Sequence, residues 1–107
     1  MNIVILMGRL TKDPEIKDLN GKTKCNFTLA VDRPTDGVDF IDCIAWGKKA
    51  ETIAKYFVKG QMLPLWGKLQ NNIWTDSENR KRSNKEVVVD GFNFCEKKKE
   101  EEGDLPF

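Results

Sequence analysis

Hydrophobic and polar positions alternate along residues 38–46 and then change period. Phe40, Asp42, Ile44 and Trp46 fall on one side of this stretch, and Ile41, Cys43 and Ala45 on the other. Two-residue alternation is the pattern of a strand, whose successive side chains leave opposite faces. From Ala50 the apolar residues Ala50, Ile53, Ala54 and Phe57 recur at i, i+3, i+4 and i+7, which predicts a helix over 50–58. Gly60 is expected to end that helix in a left-handed turn. The strand carries one oddity. Phe40 and Trp46 are large aromatics on the face that also holds Asp42, about 20 Å apart at ~3.3 Å per residue. A core would place such rings on the apolar face, so this side is read as ligand-facing.

Four more strands follow from the same reasoning. Residues 2–10 hold the run Ile3-Val4-Ile5-Leu6-Met7, apolar at odd and even positions, so both faces of this strand should be covered. One face can meet a core; the other calls for a second element or a second subunit. Gly8-Arg9 permits a bend, Asp13-Pro14 marks a turn, and Asn20-Gly21 is a strong hairpin signal. Residues 24–32 alternate cleanly, with Cys25, Phe27, Leu29 and Val31 on one side. Residues 62–74 place Leu63, Leu65 and Leu69 on one face and Met62, Trp66, Lys68, Gln70, Asn72 and Trp74 on the other. Pro64 cannot donate to a ladder, which predicts an edge or a bulge there. Residues 75–84 read as a polar loop, and 86–94 as the last strand, centred on Val87-Val88-Val89. Five strands with one helix between the third and fourth predict an all-β OB-fold, a partly open barrel with the helix plugging one end.

Composition adds bounds. The length of 107 residues suits one folded domain, read as 1–95, followed by a charge-dense tail over 96–107 that is expected to be disordered. The net charge of +1 hides a split, +3 over residues 1–95 and −2 over 96–107. The body is mildly basic and the tail acidic, which admits a nucleic acid as partner of the body. The chain contains no histidine, so histidine-based catalysis and histidine metal ligands are excluded. Cys25, Cys43 and Cys95 lie far apart with no C-x-x-C pair, so no metal and no cofactor are expected. Cys25 and Cys43 fall on apolar strand faces and read as reduced core residues, which points to the cytoplasm. The N-terminal apolar run is too short for a signal core or a membrane span, and no membrane association is expected.

Two ingredients carry the chemistry. Phe40, Trp46 and Trp74 are candidates for a stacking surface, because an exposed ring can stack on any base without reading sequence. Trp66 faces the same way as Trp74 but stands in an edge-like stretch, where an interface or packing role is favoured. The second ingredient is a basic track for phosphates, from Arg9, Lys12, Lys24, Arg33, Lys48, Lys49, Arg80, Lys81 and Arg82, all near strand ends or loops. Asp42 opposes this track, since its charge would repel a nearby phosphate.

The order and spacing of NIVILMGRLTKDPEIK, FTLAVDR from Phe27, DFIDCIAWGKKAETIAKYFVKG, GKLQNNIWTD from Gly67 and EVVVDGFNF from Glu86 resemble the SSB family of bacterial and phage single-stranded DNA-binding proteins. The resemblance covers residues 2–94. It implies an OB-fold oligomer, usually a homotetramer, wrapping single-stranded DNA, with Phe40, Trp46 and Trp74 as base-stacking positions and the first strand making subunit contacts. The last residues, Asp104, Leu105, Pro106 and Phe107, resemble that family's partner-binding tip, which implies recruitment of replication, repair and recombination proteins. Three departures stand out. The loop before Asp39 lacks the stacking Trp of some members, the usual long linker is missing, and Trp66 occupies a strand position that is usually polar, which leaves a dimer open beside the tetramer.

The leading expectation is therefore sequence-independent binding of single-stranded DNA without catalysis. An OB-fold protein-interaction adaptor and an RNA-binding module are the alternatives. Deletion of Asp104 to Phe107 is expected to abolish capture of partner proteins while preserving or raising affinity for oligo-dT. Loss of DNA binding in that variant would contradict the tip's assigned role.

Overall fold

The computed structural model describes residues 1–95; the tail and its tip lie outside the described residues. Six strands and one helix follow one another: β1 Val4–Leu10, β2 Glu15–Leu19, β3 Lys22–Asp32, β4 Val38–Trp46, α1 Lys48–Tyr56, β5 Met62–Thr75 and β6 Lys81–Phe92. The sheet order is β1-β5-β6-β4-β3-β2, and a further pairing of β1 with β3 joins Arg9 to Ala30 and Leu10 to Leu29. That pairing turns five of the strands into a ring, with β2 hanging from β3 as a hairpin. The expected OB-fold is the fold of this chain.

Alternation decides what fills the ring. Cys25, Phe27 and Leu29 from β3, Cys43 and Ala45 from β4, Leu63 and Leu65 from β5, and Val87 and Val89 from β6 are all buried. Helix α1 closes one end through Ala50 and Ile53, with Phe57 just beyond its last turn. Desolvation pushes the Cys25 thiol up to about 11 and the Cys43 thiol up to about 12, so both stay protonated at neutral pH. Phe57 stacks on Phe94 at 5.0 Å between centroids, and Phe92 and Tyr56 meet the same rings edge to face. This aromatic cluster holds the chain under the helix as it leaves β6.

Four element boundaries differ from the sequence expectation, each for a local physical reason. The strand β2 is absent from the reading because all five of its residues are exposed and its polar sequence EIKDL carries no core face. It pairs with β3 through the Asn20-Gly21 turn, with φ of 51° and 81°, the left-handed pair that such a hairpin requires. The helix spans Lys48–Tyr56 rather than 50–58; Phe57 is already extended, and Gly60 turns the chain later, within a bend closed by Gln61 N–H to Val58 C=O. The region 75–84 is mostly ladder, not loop. Pairs run out to Thr75–Lys81, and Asp76 Oδ1 accepts the backbone N–H groups of Glu78 and Arg80 at 2.9 Å across the tight end. This arm is solvated on both sides, so it shows no apolar alternation. The last strand ends at Phe92, and Phe94 lies past it.

The strand β5 runs between β1 and β6, so Pro64 is not on an edge strand. Its carbonyl accepts Asn93 N–H, beyond the last β6 pair, Leu65–Phe92. The donor that proline lacks therefore points to where β6 has already ended. A bulge follows between Trp66 and Gly67.

Gly8 is where the ring closes. A Cβ there would meet the Ala30 carbonyl oxygen at 2.7 Å and Val31 Cγ2 at 2.9 Å. Backbone blocks one side of that space and cannot swing away. Gly8→Ala is expected to cost ~1–3 kcal/mol, as overpacking does, and to lower the melting temperature by several degrees in far-ultraviolet circular dichroism. An unchanged melt would show that closure does not depend on this approach.

Candidate nucleic-acid interface

The register of the ladders sets out the outer face of the barrel in rows. On β3 and β4, Lys24 stands beside Trp46, Asn26 beside Ile44, Thr28 beside Asp42, and Ala30 beside Phe40. The row is extended by β1, where Arg9 pairs with Ala30, and by β2, where Lys17 pairs with Lys24. On the long β5–β6 arm, Asn72 stands beside Asn84 and Trp74 beside Arg82. Asn84 Nδ2 donates to Asp42 Oδ2 at 2.9 Å, which ties the β6 row to the β4 row.

The three proposed stacking rings stand on this face and are open to solvent. Phe40 is 68% exposed, Trp74 44% and Trp46 37%. Ile44, between Asp42 and Trp46, differs: it is buried on the outer side, apart from the barrel core. Beside Asp42 lies a polar pocket of about 250 Å³, lined by Lys12, Glu15, Lys24, Asn26, Thr28, Asn72, Asn84 and Glu86 among others.

The cations divide into two groups. Lys24 Nζ sits 5.7 Å from the centre of the Trp46 ring, a cation–π contact. Lys48 and Lys49 begin α1 and share a hollow with Trp46 and Lys22. None of these four lysines forms an ion pair with a described residue. Lys81, at the start of β6, is likewise without an ion pair among the described residues. Other expected phosphate contacts are already engaged. Arg33 donates Nε and Nη2 to Asp39 Oδ1 at 3.0 and 2.8 Å, which holds the Asp39 carboxyl below its ordinary range. Arg82 Nε donates to Asp76 Oδ2 at 2.9 Å, and Arg80 pairs with Asp76 and Glu78. Asp76 is held low chiefly by the Arg80 backbone N–H and then by the Arg82 guanidinium. Arg9 Nη1 donates to the Gly60 carbonyl at 2.9 Å, and Lys12 lies 3.7 Å from Glu15. The charges near Trp46 are thus available, while the Arg80-Lys81-Arg82 cluster is partly neutralised by its own hairpin.

Sequence reasoning missed Lys17, because it missed β2, and Lys22, because it began the next strand at residue 24 rather than at Lys22. It also passed over Asn26, Thr28, Asn72 and Asn84, the polar ground between the rings. Their shared signal is parity: each falls on the ring-bearing side of its strand.

A second outer surface lies apart from these rows. Ile3, Ile5 and Met7 are exposed, and Trp66 stands beside Ile5 in the β1–β5 ladder. The Trp66 ring sits against Gly91, where a Cβ would collide with it. This tryptophan therefore packs at its inner side and is open at its outer side.

Residues 1–95 match the model of the single-strand binding protein family. The chain belongs to that family. It is 43% identical to the single-stranded DNA-binding protein of Clostridium perfringens over 100 residues, 90% of this chain and 67% of that protein. It is 41% identical to single-stranded DNA-binding protein 1 of Clostridium acetobutylicum over 108 residues, 94% of this chain and 98% of that protein. The single-stranded DNA-binding protein of Fusobacterium nucleatum is 43% identical over 92% of this chain and 69% of its own length. Proteins of this family bind DNA and are not enzymes.

Proposed function

We propose that residues 1–95 bind single-stranded DNA without sequence reading, through bases stacked on Phe40, Trp46 and Trp74. The observation that carries this is the exposure of three large rings on one polar face of a closed barrel. Their burial would have been favourable by about 1.5–3 kcal/mol each, and a ligand with apolar faces recovers that term. Lys24, Lys48, Lys49 and Lys81 meet phosphates directly. Arg9 does so from beside its bond to the Gly60 carbonyl, and Lys12, Arg33, Arg80 and Arg82 only by exchanging a carboxylate for a phosphate.

The remaining outer surface is the subunit contact. Ile3, Ile5, Met7 and Trp66 form an apolar patch that a second copy of the chain covers, in a homotetramer or a dimer. The tail over 96–107 serves as a partner-binding segment, with Asp104, Leu105, Pro106 and Phe107 docking replication, repair and recombination proteins. No helix among the described residues is long and apolar enough to cross a membrane, and the protein works in the cytoplasm.

Titration with oligo-dT is expected to quench tryptophan fluorescence, with weak binding to duplex. Trp46→Ala or Phe40→Ala should each cost ~1–3 kcal/mol of affinity. Lys24→Gln, Lys48→Gln and Lys49→Gln should each flatten the slope of log affinity against log salt by about 0.7, whereas Arg33→Gln should change it less. Absence of quenching and of salt dependence would favour the adaptor reading, and equal affinity for oligo-U would favour RNA.

A further inference from the structure

Asp42 sits in the middle of the face that should follow a polyanion, yet it forms no ion pair with any described residue. Lys12 and Lys24 line the same pocket without bonding it. Its two oxygens are instead braced from the neighbouring strands. Thr28 Oγ1 donates to Oδ1 at 3.0 Å, and Asn84 Nδ2 donates to Oδ2 at 2.9 Å. A carboxylate has about four acceptor positions, so each oxygen keeps a lone pair after these bonds. The brace fixes the direction in which those lone pairs point. The Asn84 amide is committed by the same contact, and its Oδ1 is shielded and unpaired. A carboxylate held this firmly, unneutralised and exposed is poorly placed for a phosphate and well placed for a hydrogen-bond donor.

Phe40 precedes Asp42 by two residues on the same face, about 6.6 Å along the strand. A base lying on the Phe40 ring can turn one edge toward Asp42. Asp42 also borders the polar pocket, in which Asn26 and Asn72 can each present either a donor or an acceptor, and Glu15 and Glu86 add further acceptors. We infer that Asp42, braced in this way, reads the edge of the base stacked at Phe40 and favours an amino-bearing base, guanine first and then cytosine, over thymine. The chemistry follows from the donors. Guanine offers N1–H and an amino group side by side, matching two carboxylate oxygens, and cytosine offers its N4 amino group. Thymine offers one N–H between two carbonyls, whose oxygens would face the carboxylate. The protein would then bind all single strands, with a base preference superimposed at one subsite. This inference rests on the single-strand binding reading given above.

The test compares affinities for oligo-dT, oligo-dC and an alternating dG-dT strand of equal length, for the wild type, Asp42→Asn and Asp42→Ala. Asp42→Asn removes the charge and should tighten binding to oligo-dT. The affinity ratio of alternating dG-dT to oligo-dT should fall by roughly threefold to tenfold, and Asp42→Ala should lose the preference as well. Thermal melts confirm that both variants fold. If both variants fold and bind but keep the wild-type ratio, the inference is overturned while single-strand binding stands. If the wild type binds none of the three strands, the functional reading fails and the base preference fails with it.

Discussion

Pairing between β1 and β3 closes the sheet, and closure determines what the rest of the chain can do with its side chains. The interior of this barrel has room for one layer of apolar groups, and Cys25, Phe27, Leu29, Cys43, Ala45, Leu65 and Val87 occupy it. Once that interior is full, large rings on the other parity must stay outside. Phe40, Trp46 and Trp74 are therefore exposed by geometry as much as by composition. Gly8 lets the two strands approach, and α1 with Phe57 covers the open end. The outer face is then rigid, braced across strands by bonds such as Thr28–Asp42 and Asn84–Asp42. Rings on a rigid sheet stack with little loss of side-chain freedom.

Electrostatics on that face is local, in keeping with a formal net charge of only +1. Available lysines gather near Trp46, while the arginines farther along are held by Asp39, Asp76 and Glu78. Exposed pairs of this kind are worth little on their own, so a phosphate can replace the carboxylate at modest cost. The same arrangement keeps the tip of the β5–β6 arm ordered when no ligand is bound. The Asp76 carboxyl, accepting from Glu78, Arg80 and Arg82, is the hub of that tip.

Much of this was legible in the chain. Alternation over 38–46, the i, i+3, i+4, i+7 spacing from Ala50, and the Asn20-Gly21 turn each correspond to an observed element, because each has a buried face or a demanding turn. The parity of Phe40, Trp46 and Trp74 correctly set them opposite the core. What escaped notice has no such face. The hairpin strand β2 is wholly exposed, and the β5–β6 arm beyond Leu69 is solvated on both sides. Pairing there comes from the ladder and the Asp76 turn, neither of which leaves a hydrophobic period. Ion pairs such as Arg33–Asp39 were also hidden, since a list of cations does not reveal which carboxylates they meet. Ile44, buried on the outer side, shows that parity predicts a face but not its depth.

We propose that DNA meets the Phe40–Trp46–Trp74 face while the Ile5–Trp66 face meets another subunit. The chain has three tryptophans, Trp46 and Trp74 on the first face and Trp66 on the second. Their three indole N–H resonances therefore report the ligand's position directly in a transverse-relaxation-optimised NMR titration with oligo-dT. Movement of the Trp46 and Trp74 signals with Trp66 unmoved is the result expected. Movement of Trp66 with Trp46 and Trp74 unmoved would contradict it.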